Sequence, residues 1–365
     1  MATMQEYRLS EFTGIHALEM KEVPTPIPGP LQVLVEVYAV SLQQRDLVVA
    51  NGQYPVPLSP NITPCSDMSG QIIALGSPPE SLPPFFNLHV GDRICANFAI
   101  PGFVFGDLGA HVDGVLKEYV VFEADPDRLI RIPEWMSYEE ACTLPCAGLT
   151  AYSALHGPVP FKKGQSIVIQ GTSGVSIFVA QFARALGASR IFLTSSSTSK
   201  LRTAVSLVDG FSEASNVTDH NGGTEVTGIN YVAEPEWDKK VLEMTGGEGV
   251  DVVVDIGGAS TIMKSIAAVK FGGWIQMVGV IGHEPADLAS LPLMAIAKNV
   301  CLRGVVMGGA ENFRSMAAWL SESPVRVHPC IDKIFAFEDA KEAYEYLAGR
   351  GHVGKVVVKV AAGDD

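Results

Sequence analysis

The sequence predicts an α/β protein, a doubly wound parallel sheet joined to a smaller β-rich unit. Three observations predict it. Residues 166–200 read as strand, tight turn, helix and strand in succession. Apolar runs at 251–256, 274–280 and 300–307 each end near glycines, as strands do where a parallel sheet opens onto a ligand. The first 135 residues instead carry short apolar runs broken by glycine and proline, the mark of a small barrel-like unit.

Within that first stretch, residues 33–37 alternate partly as a strand does, and residues 70–76 form a strand between glycines. Residues 78–84 are a proline-rich loop, residues 90–94 a turn feeding a strand, and residues 116–122 a further strand. Asp125-Pro126-Asp127 is turn chemistry. Ser137 with Glu140 three residues on spells a capping box, and residues 141–157 continue as a connecting helical stretch. Beyond residue 200 strands alternate with helices at 260–270, 312–320 and 337–349. A last strand at 355–360 stands apart from the sheet pattern. Residues 208–228 are polar, glycine-rich and long for a helix-to-strand connection, so they read as a surface insertion ahead of a lid.

Composition narrows the function. At 365 residues, 47% hydrophobic and 18% charged, the chain suits two domains with substantial cores. A formal charge of −14 argues against nucleic acid and anionic membranes as partners. No segment has the apolar length of a membrane span, and MATMQEYRLSEF has no secretory pattern, so the expected place is the cytoplasm. The six cysteines are scattered without a C-x-x-C, which points to buried thiols in a reducing compartment.

The turn inside 166–200 carries the chemistry. Ile167, Val168 and Ile169 suit a buried parallel strand. Gly171, Thr172, Ser173 and Gly174 turn the chain, and Val175, Phe178, Phe182 and Leu186 recur at helical spacing up to Gly187. Free amides and the dipole at that helix start favour a pyrophosphate. The dinucleotide pattern is G-x-G-x-x-G; here it is G-x-S-x-x-S, with Gly174 extra. After the second strand comes Thr194-Ser195-Ser196-Ser197-Thr198-Ser199-Lys200, without an acid. A carboxylate there would bond a ribose 2′-hydroxyl, whereas hydroxyls and a lysine suit a 2′-phosphate. The expected cofactor is therefore NADP(H).

The phrases VSLQQRDLVVANGQYP, GDRI, DGVLKEYVV, EEACTLPCAGLTAYSAL, GTSGVSIFVAQFARALGA, TGGEGVDVVVDIGG, GGWIQMVGV and GHVGKVVVKV, in this order, resemble the medium-chain dehydrogenase/reductase superfamily. The likeness is greatest to zinc-free, NADP(H)-linked alcohol dehydrogenase-like and quinone oxidoreductase-like members of fungal type. It implies a Rossmann domain at 148–308 and a split GroES-like catalytic domain at 1–147 and 309–365, with the active site in the cleft between them. The isolated last strand would return to the first domain.

By position, the resemblance assigns Gly171, Thr172, Ser173, Gly174 and Val175 to the pyrophosphate. Ser195, Ser196 and Lys200 go to the 2′-phosphate, with Tyr231 nearby. Thr150, Gly257, Gly279 and Gly309 go to the nicotinamide half, and Lys355 is a candidate cofactor contact or a plain surface lysine. Zinc-binding members place a cysteine at Gln43 and a histidine at Ser66. Only Cys146 keeps a ligand type, and one thiolate cannot build a catalytic zinc site. No zinc is expected. Arg45 replaces a proton-relay hydroxyl, and Asp46 beside it reads as a structural ion pair. Tyr54 matches a site-lining tyrosine of the quinone oxidoreductase-like members.

The expected activity is zinc-independent, NADPH-dependent reduction of an activated C=C in a small enone, enal or quinone. Tyr54, Gln43 or Gln44 would donate hydrogen bonds to the developing oxyanion, and no residue stands out as the proton source. Carbonyl reduction, a non-redox isomerisation or cyclisation, and cofactor binding without turnover are the alternatives. A homodimer through an edge strand at 300–307 is a further expectation. His111, His283, His328 and His352 read as surface or structural residues.

Overall fold

The computed structural model describes residues 2–55, 57–77, 87–98, 108–209, 223–280, 282, 288–323 and 326–361. The loop expected at 78–84 and His283 lie outside these residues. The chain forms two compact units. One contains residues 1–149, 308–324 and 331–365; the other contains 150–307 and 325–330. The short stretch 325–330 thus groups with the second unit, where the sequence reading placed it in the first.

The first unit opens with β1 (Thr3–Leu9) and β2 (Leu18–Pro24), an antiparallel pair. Then come β3 (Gln32–Leu42), α1 (Gln44–Ala50), β4 (Asp67–Leu75), β5 (Arg93–Ala96), β6 (Tyr119–Glu123), β7 (Leu129–Arg131) and α2 (Tyr138–Ala141). Strand β3 extends well past the expected 33–37. It pairs antiparallel with both β4 and β6, and most of its side chains are buried. The capping box before α2 is present: Ser137 Oγ accepts from Glu140 N at 3.1 Å and Glu140 Oε2 from Ser137 N at 3.0 Å. The connecting helical stretch begins with a wide π turn at Leu144–Gly148, which contains Cys146.

The second unit holds α3 (Leu149–Leu155) from its second residue on, β8 (Ser166–Gln170), α4 (Gly174–Ala185), β9 (Arg190–Ser195), α5 (Thr198–Asp209) and β10 (Glu225–Asn230). It continues with α6 (Trp237–Met244), β11 (Val250–Asp255), α7 (Ile262–Ala268), β12 (Val269–Met277), α8 (Leu291–Lys298) and β13 (Cys301–Gly304). Its six strands lie in the order β10-β9-β8-β11-β12-β13, all parallel. This is a Rossmann-type sheet. Val168, Phe192, Val253 and Ile275 bury their side chains beside Trp237 and Ile266 from the helices. The order reverses between β8 and β11, the point where such sheets bind ligands.

Three expected elements change. Strand β12 starts at Val269, so α7 ends before residue 270; Gly272 at φ 76° lets the strand run on through an irregular register with β11. The expected strand 300–307 shrinks to Cys301–Gly304, although Val305 N still donates to Met277 O at 2.9 Å. Of the segment 208–228, residues 210–222 lie outside the described residues. Its ends are the close of α5 and the start of β10.

The chain then forms α9 (Ala310–Glu322), β14 (Ile331–Ala336), α10 (Ala340–Ala348) and β15 (Lys355–Lys359). As expected, β15 returns to the first unit, pairing antiparallel with β3 and parallel with β14. The first unit's sheet then has the order β14-β15-β3-β4-β5-β7, with β6 also on β3.

Candidate active site

In the second unit most of the residues expected to hold a dinucleotide lie at the carboxyl ends of β8, β9 and β11. Gly171 takes φ 78°, a conformation that strains any residue with a Cβ, and a Cβ there would lie 2.7 Å from Ile256 Cδ1. Its N–H donates to Thr194 O at 2.8 Å. Thr172 is buried, Ser173 is exposed and precedes α4, and Ser173 makes no side-chain cap to the helix. The first amides of this 12-residue helix, from Gly174 and half-buried Val175, therefore remain for a ligand.

A hydrogen-bonded clamp fixes both walls of that crevice. Gln170 Nε2 donates to Asp255 Oδ2 and to Ser265 Oγ, both at 3.0 Å, while its Oε1 accepts from Ile256 N at 3.1 Å and Gly257 N at 3.2 Å. Asp255 Oδ1 also accepts from Gly258 N and Thr261 Oγ1, each at 2.8 Å. Sequence reading singled out neither Gln170 nor Asp255. The available signal was a polar residue closing each of two apolar strands at the sheet's carboxyl edge.

The run expected to face a 2′-phosphate is partly a helix start, since α5 begins at Thr198. Ser197 Oγ accepts from Lys200 N at 3.4 Å and Ser195 Oγ from Ser197 N at 3.3 Å. Ser195 is buried, Ser196 exposed and Lys200 half-buried. Asn230 Nδ2 donates to Thr198 Oγ1 at 2.9 Å, and the half-exposed Tyr231 follows it. Gly257 and Gly279 are tightly set: a Cβ would lie 2.5 Å from Thr261 Oγ1 and 2.9 Å from Ile256 O respectively. Thr150 is buried in α3. Gly309 stands apart from these. It belongs to the first unit, precedes α9 in extended backbone at φ −82°, and a Cβ would meet nothing within 4 Å, so nothing in the chain itself requires glycine there.

In the first unit Gln43 follows β3 and caps α1. It forms a reciprocal capping box with Asp46, whose Oδ2 accepts from Gln43 N at 2.8 Å. Gln43 Nε2 donates to Ser66 Oγ at 2.7 Å and to Asp67 Oδ1 at 2.9 Å. These two acceptors lie 3.0 Å apart, within reach of a single amide hydrogen, so Nε2 already serves buried partners in the first unit. Gln44 lies exposed at the first position of α1. Tyr54 is half-buried, with the Arg45 guanidinium 4.7 Å from its ring centroid and 4.6 Å from that of Phe98. Asp46 is a helix cap as well as a neighbour of Arg45.

Lys355 is not a surface lysine. It is 5% exposed, and its Nζ donates to Leu42 O at 2.6 Å. The pairing of β15 with β3 sets Val356 opposite Leu42 and so turns Lys355 into the interior. Burial pushes the Asp67 carboxyl up to about 7 against the pull of Lys355, and the Asp46 carboxyl up to about 6 against the pull of Arg45. Burial also raises the Cys146 thiol to about 12, with Asp67 adding to the effect, although the residue as a whole is only half-buried. Cys65, Cys95 and Cys142 are buried, Cys330 is half-buried and Cys301 is exposed, which corrects the expectation of uniformly buried thiols.

These residues do not fit a catalytic zinc. Such a site needs three anionic or imidazole-type ligands. Here the three corresponding positions hold an amide and a hydroxyl already bonded to each other and a thiol that burial keeps protonated. No three His, Cys, Asp or Glu side chains gather in metal-binding fashion among the described residues.

Known proteins share this plan. A family model described as alcohol dehydrogenase GroES-like domain matches residues 29–134, and one described as zinc-binding dehydrogenase matches residues 174–322. A zinc-type alcohol dehydrogenase-like protein of Schizosaccharomyces pombe is 35% identical over 364 residues, covering 96% of this chain and 97% of that one. Human quinone oxidoreductase is 26% identical over 366 residues, covering 97% of each chain. The solved quinone oxidoreductase of Pseudomonas syringae pv. Tomato DC3000 superposes with a TM-score of 0.75 at 26% identity, covering 98% of this chain and 100% of the other.

Proposed function

The chain belongs to the medium-chain dehydrogenase/reductase superfamily of nicotinamide-dependent oxidoreductases, and on that premise we propose that it is a zinc-independent, NADPH-dependent reductase of activated C=C bonds. The observation that carries this reading is a pair of helix starts at adjacent strand ends. Residues 171–174 open α4 after β8, and residues 197–200 open α5 after β9 without a carboxylate. The first suits a pyrophosphate; the second supplies hydroxyls, helix amides and Lys200 for a 2′-phosphate.

When bound, the cofactor supplies a hydride to an electrophilic carbon. A donor set unsuited to zinc leaves no Lewis acid to polarise an unactivated carbonyl, so the β-carbon of an enone, enal or quinone is the favoured acceptor. Tyr54 is the side chain assigned to hold the oxygen that gains charge, its ring backed by the Arg45 guanidinium. Carbonyl reduction is the second reading, favoured by the description of the Schizosaccharomyces pombe relative as alcohol dehydrogenase-like.

Self-association through β13 belongs to the same proposal. That strand ends the six-stranded sheet, and exposed Leu293, Ile296 and Val306 lie on the segments just before and after it. Light scattering after gel filtration reads the assembly; a monomer at all concentrations removes it.

The deciding experiment is a parallel fluorescence titration with NADPH and NADH, followed by product analysis with cyclohex-2-enone. Tight NADPH binding, much weaker NADH binding and cyclohexanone as product are expected. Equal affinities reject the cofactor preference, and cyclohexenol as product replaces C=C reduction by carbonyl reduction.

A further inference from the structure

Gln170 closes β8 immediately before Gly171 and is 4% exposed. Its Oε1 accepts from two consecutive main-chain amides, Ile256 N at 3.1 Å and Gly257 N at 3.2 Å. A main-chain N–H can only donate, so these two bonds fix which way the side-chain amide faces, with Nε2 towards Asp255 and Ser265. The main chain of Gln170 is tied elsewhere: its carbonyl accepts from the buried Ser176 Oγ, in the first turn of α4, at 2.7 Å. One residue thus joins the start of α4 to the turn after β11. That turn also holds the segment after β12, since Gly282 N donates to Gly257 O at 3.1 Å. Strands β8 and β11 are neighbours where the sheet order reverses, the place where such sheets take a ligand.

We infer that Gln170 is a positioning residue: its side chain holds the backbone of Ile256 and Gly257 in the conformation that receives the nicotinamide half of the cofactor, while the adenine half is held without it. This rests on the NADP(H) reading and deepens it, by separating the two halves of one site. The adenine half is assigned to the starts of α4 and α5, and the side-chain bonds of Gln170 run instead to residues 255–257 and 265. Replacing the side chain leaves the Ser176 bond to the Gln170 carbonyl in place. It takes the acceptor from two amides of the turn after β11 and a donor from Asp255, so that turn loses its fixed shape before the cofactor arrives.

The test titrates NADP+ and adenosine 2′,5′-bisphosphate, the adenine half alone, into wild type and variants by calorimetry. Gln170→Met is expected to weaken NADP+ by about 10-fold and to leave the bisphosphate within about twofold of wild type. Gln170→Asn, too short to reach both amides, is expected to show the same split and serves where Gln170→Met does not fold. Gln170→Glu near pH 6 is expected to bind both ligands within about twofold of wild type, because a carboxyl that keeps its proton beside the Asp255 oxygen offers an acceptor and a donor at the same two places. Equal weakening of the two ligands makes the side chain a general support of the fold and overturns the inference. Unchanged NADP+ affinity in Gln170→Met, or Gln170→Glu as weak as Gln170→Met, does the same. A second measurement needs no ligand. Amide hydrogen exchange at Ile256 and Gly257 is expected to be about 10-fold faster in Gln170→Met than in wild type, and equal rates remove the bonds on which the role stands. Failure of the wild type to bind either nucleotide overturns the NADP(H) reading instead, while the exchange rates still decide whether Gln170 holds the turn.

Discussion

Lys355 Nζ donates to the carbonyl oxygen of Leu42 at 2.6 Å from a side chain only 5% exposed. A lysine so buried is rare without compensation. Here the compensation is the field of Asp67 and Asp46, both fully buried and both drawn towards the charged form by it. Lys355→Met removes the ammonium and leaves those carboxylates opposed by Arg45 alone. The expected loss is about 3 kcal/mol of stability near pH 8. It should shrink near pH 5, where the carboxylates take up protons. Urea unfolding at the two pH values checks it, and equal losses would place the cost in the Leu42 bond alone.

The same pair makes stability depend on pH. Asp67 and Asp46 are raised in the folded protein to about 7 and about 6, above the ordinary unfolded value of about 3.9. Over that interval the folded state holds protons that the unfolded state has released. The stabilisation is complete below about pH 4 and is lost as pH rises through 6 and then 7. Carboxyls lowered by hydrogen bonds, such as Asp251, act in the opposite sense at lower pH. The difference between wild type and Asp67→Asn isolates the first effect. The urea midpoint of the variant is expected to fall less steeply between pH 5 and pH 8.

Gly171 makes the turn before α4 at φ 78° with Ile256 behind it. Gly171→Ala is expected to cost about 1–2 kcal/mol from backbone conformation, with a further steric cost from Ile256. It should weaken NADPH and NADH binding alike, since it displaces the pyrophosphate turn. Thermal unfolding and the two titrations read this out; selective loss of NADPH alone would misplace the turn.

Lys200 stands in the first turn of α5, half-buried, three residues after Ser197. Lys200→Ala is expected to weaken NADPH by roughly 10-fold, the worth of one charge-assisted hydrogen bond of about 1.5 kcal/mol, and to leave NADH unchanged. Added salt should narrow the gap between the cofactors in the wild type. An unaltered NADPH affinity removes Lys200 from the site.

Much of this protein is legible in its sequence because much of it is local or periodic. The unit around residues 166–200, the capping box of Ser137 and Glu140, and the glycine at 171 each follow from spacing within a few residues. The acid-free run at 194–200 was legible as chemistry, but its helical start was not, because serine and threonine suit loops and helix caps equally.

The misreadings share a cause. Lys355 read as a surface lysine or cofactor contact until the antiparallel pairing of β15 with β3, 313 residues away at Leu42, turned it inward. Gln43 read as an oxyanion donor with no partner named, yet its Nε2 bonds Ser66 and Asp67, 23 and 24 residues on. Gln170 and Asp255, 85 residues apart, drew no notice, yet their bond ties together the carboxyl ends of β8 and β11. By itself the sequence determined the sheet and its turn glycine, since these depend on local backbone geometry and apolar period. Only the tertiary structure decided which polar groups are buried and which hydrogens are already committed, because desolvation and hydrogen-bond partners come from residues that the chain brings together only when it folds.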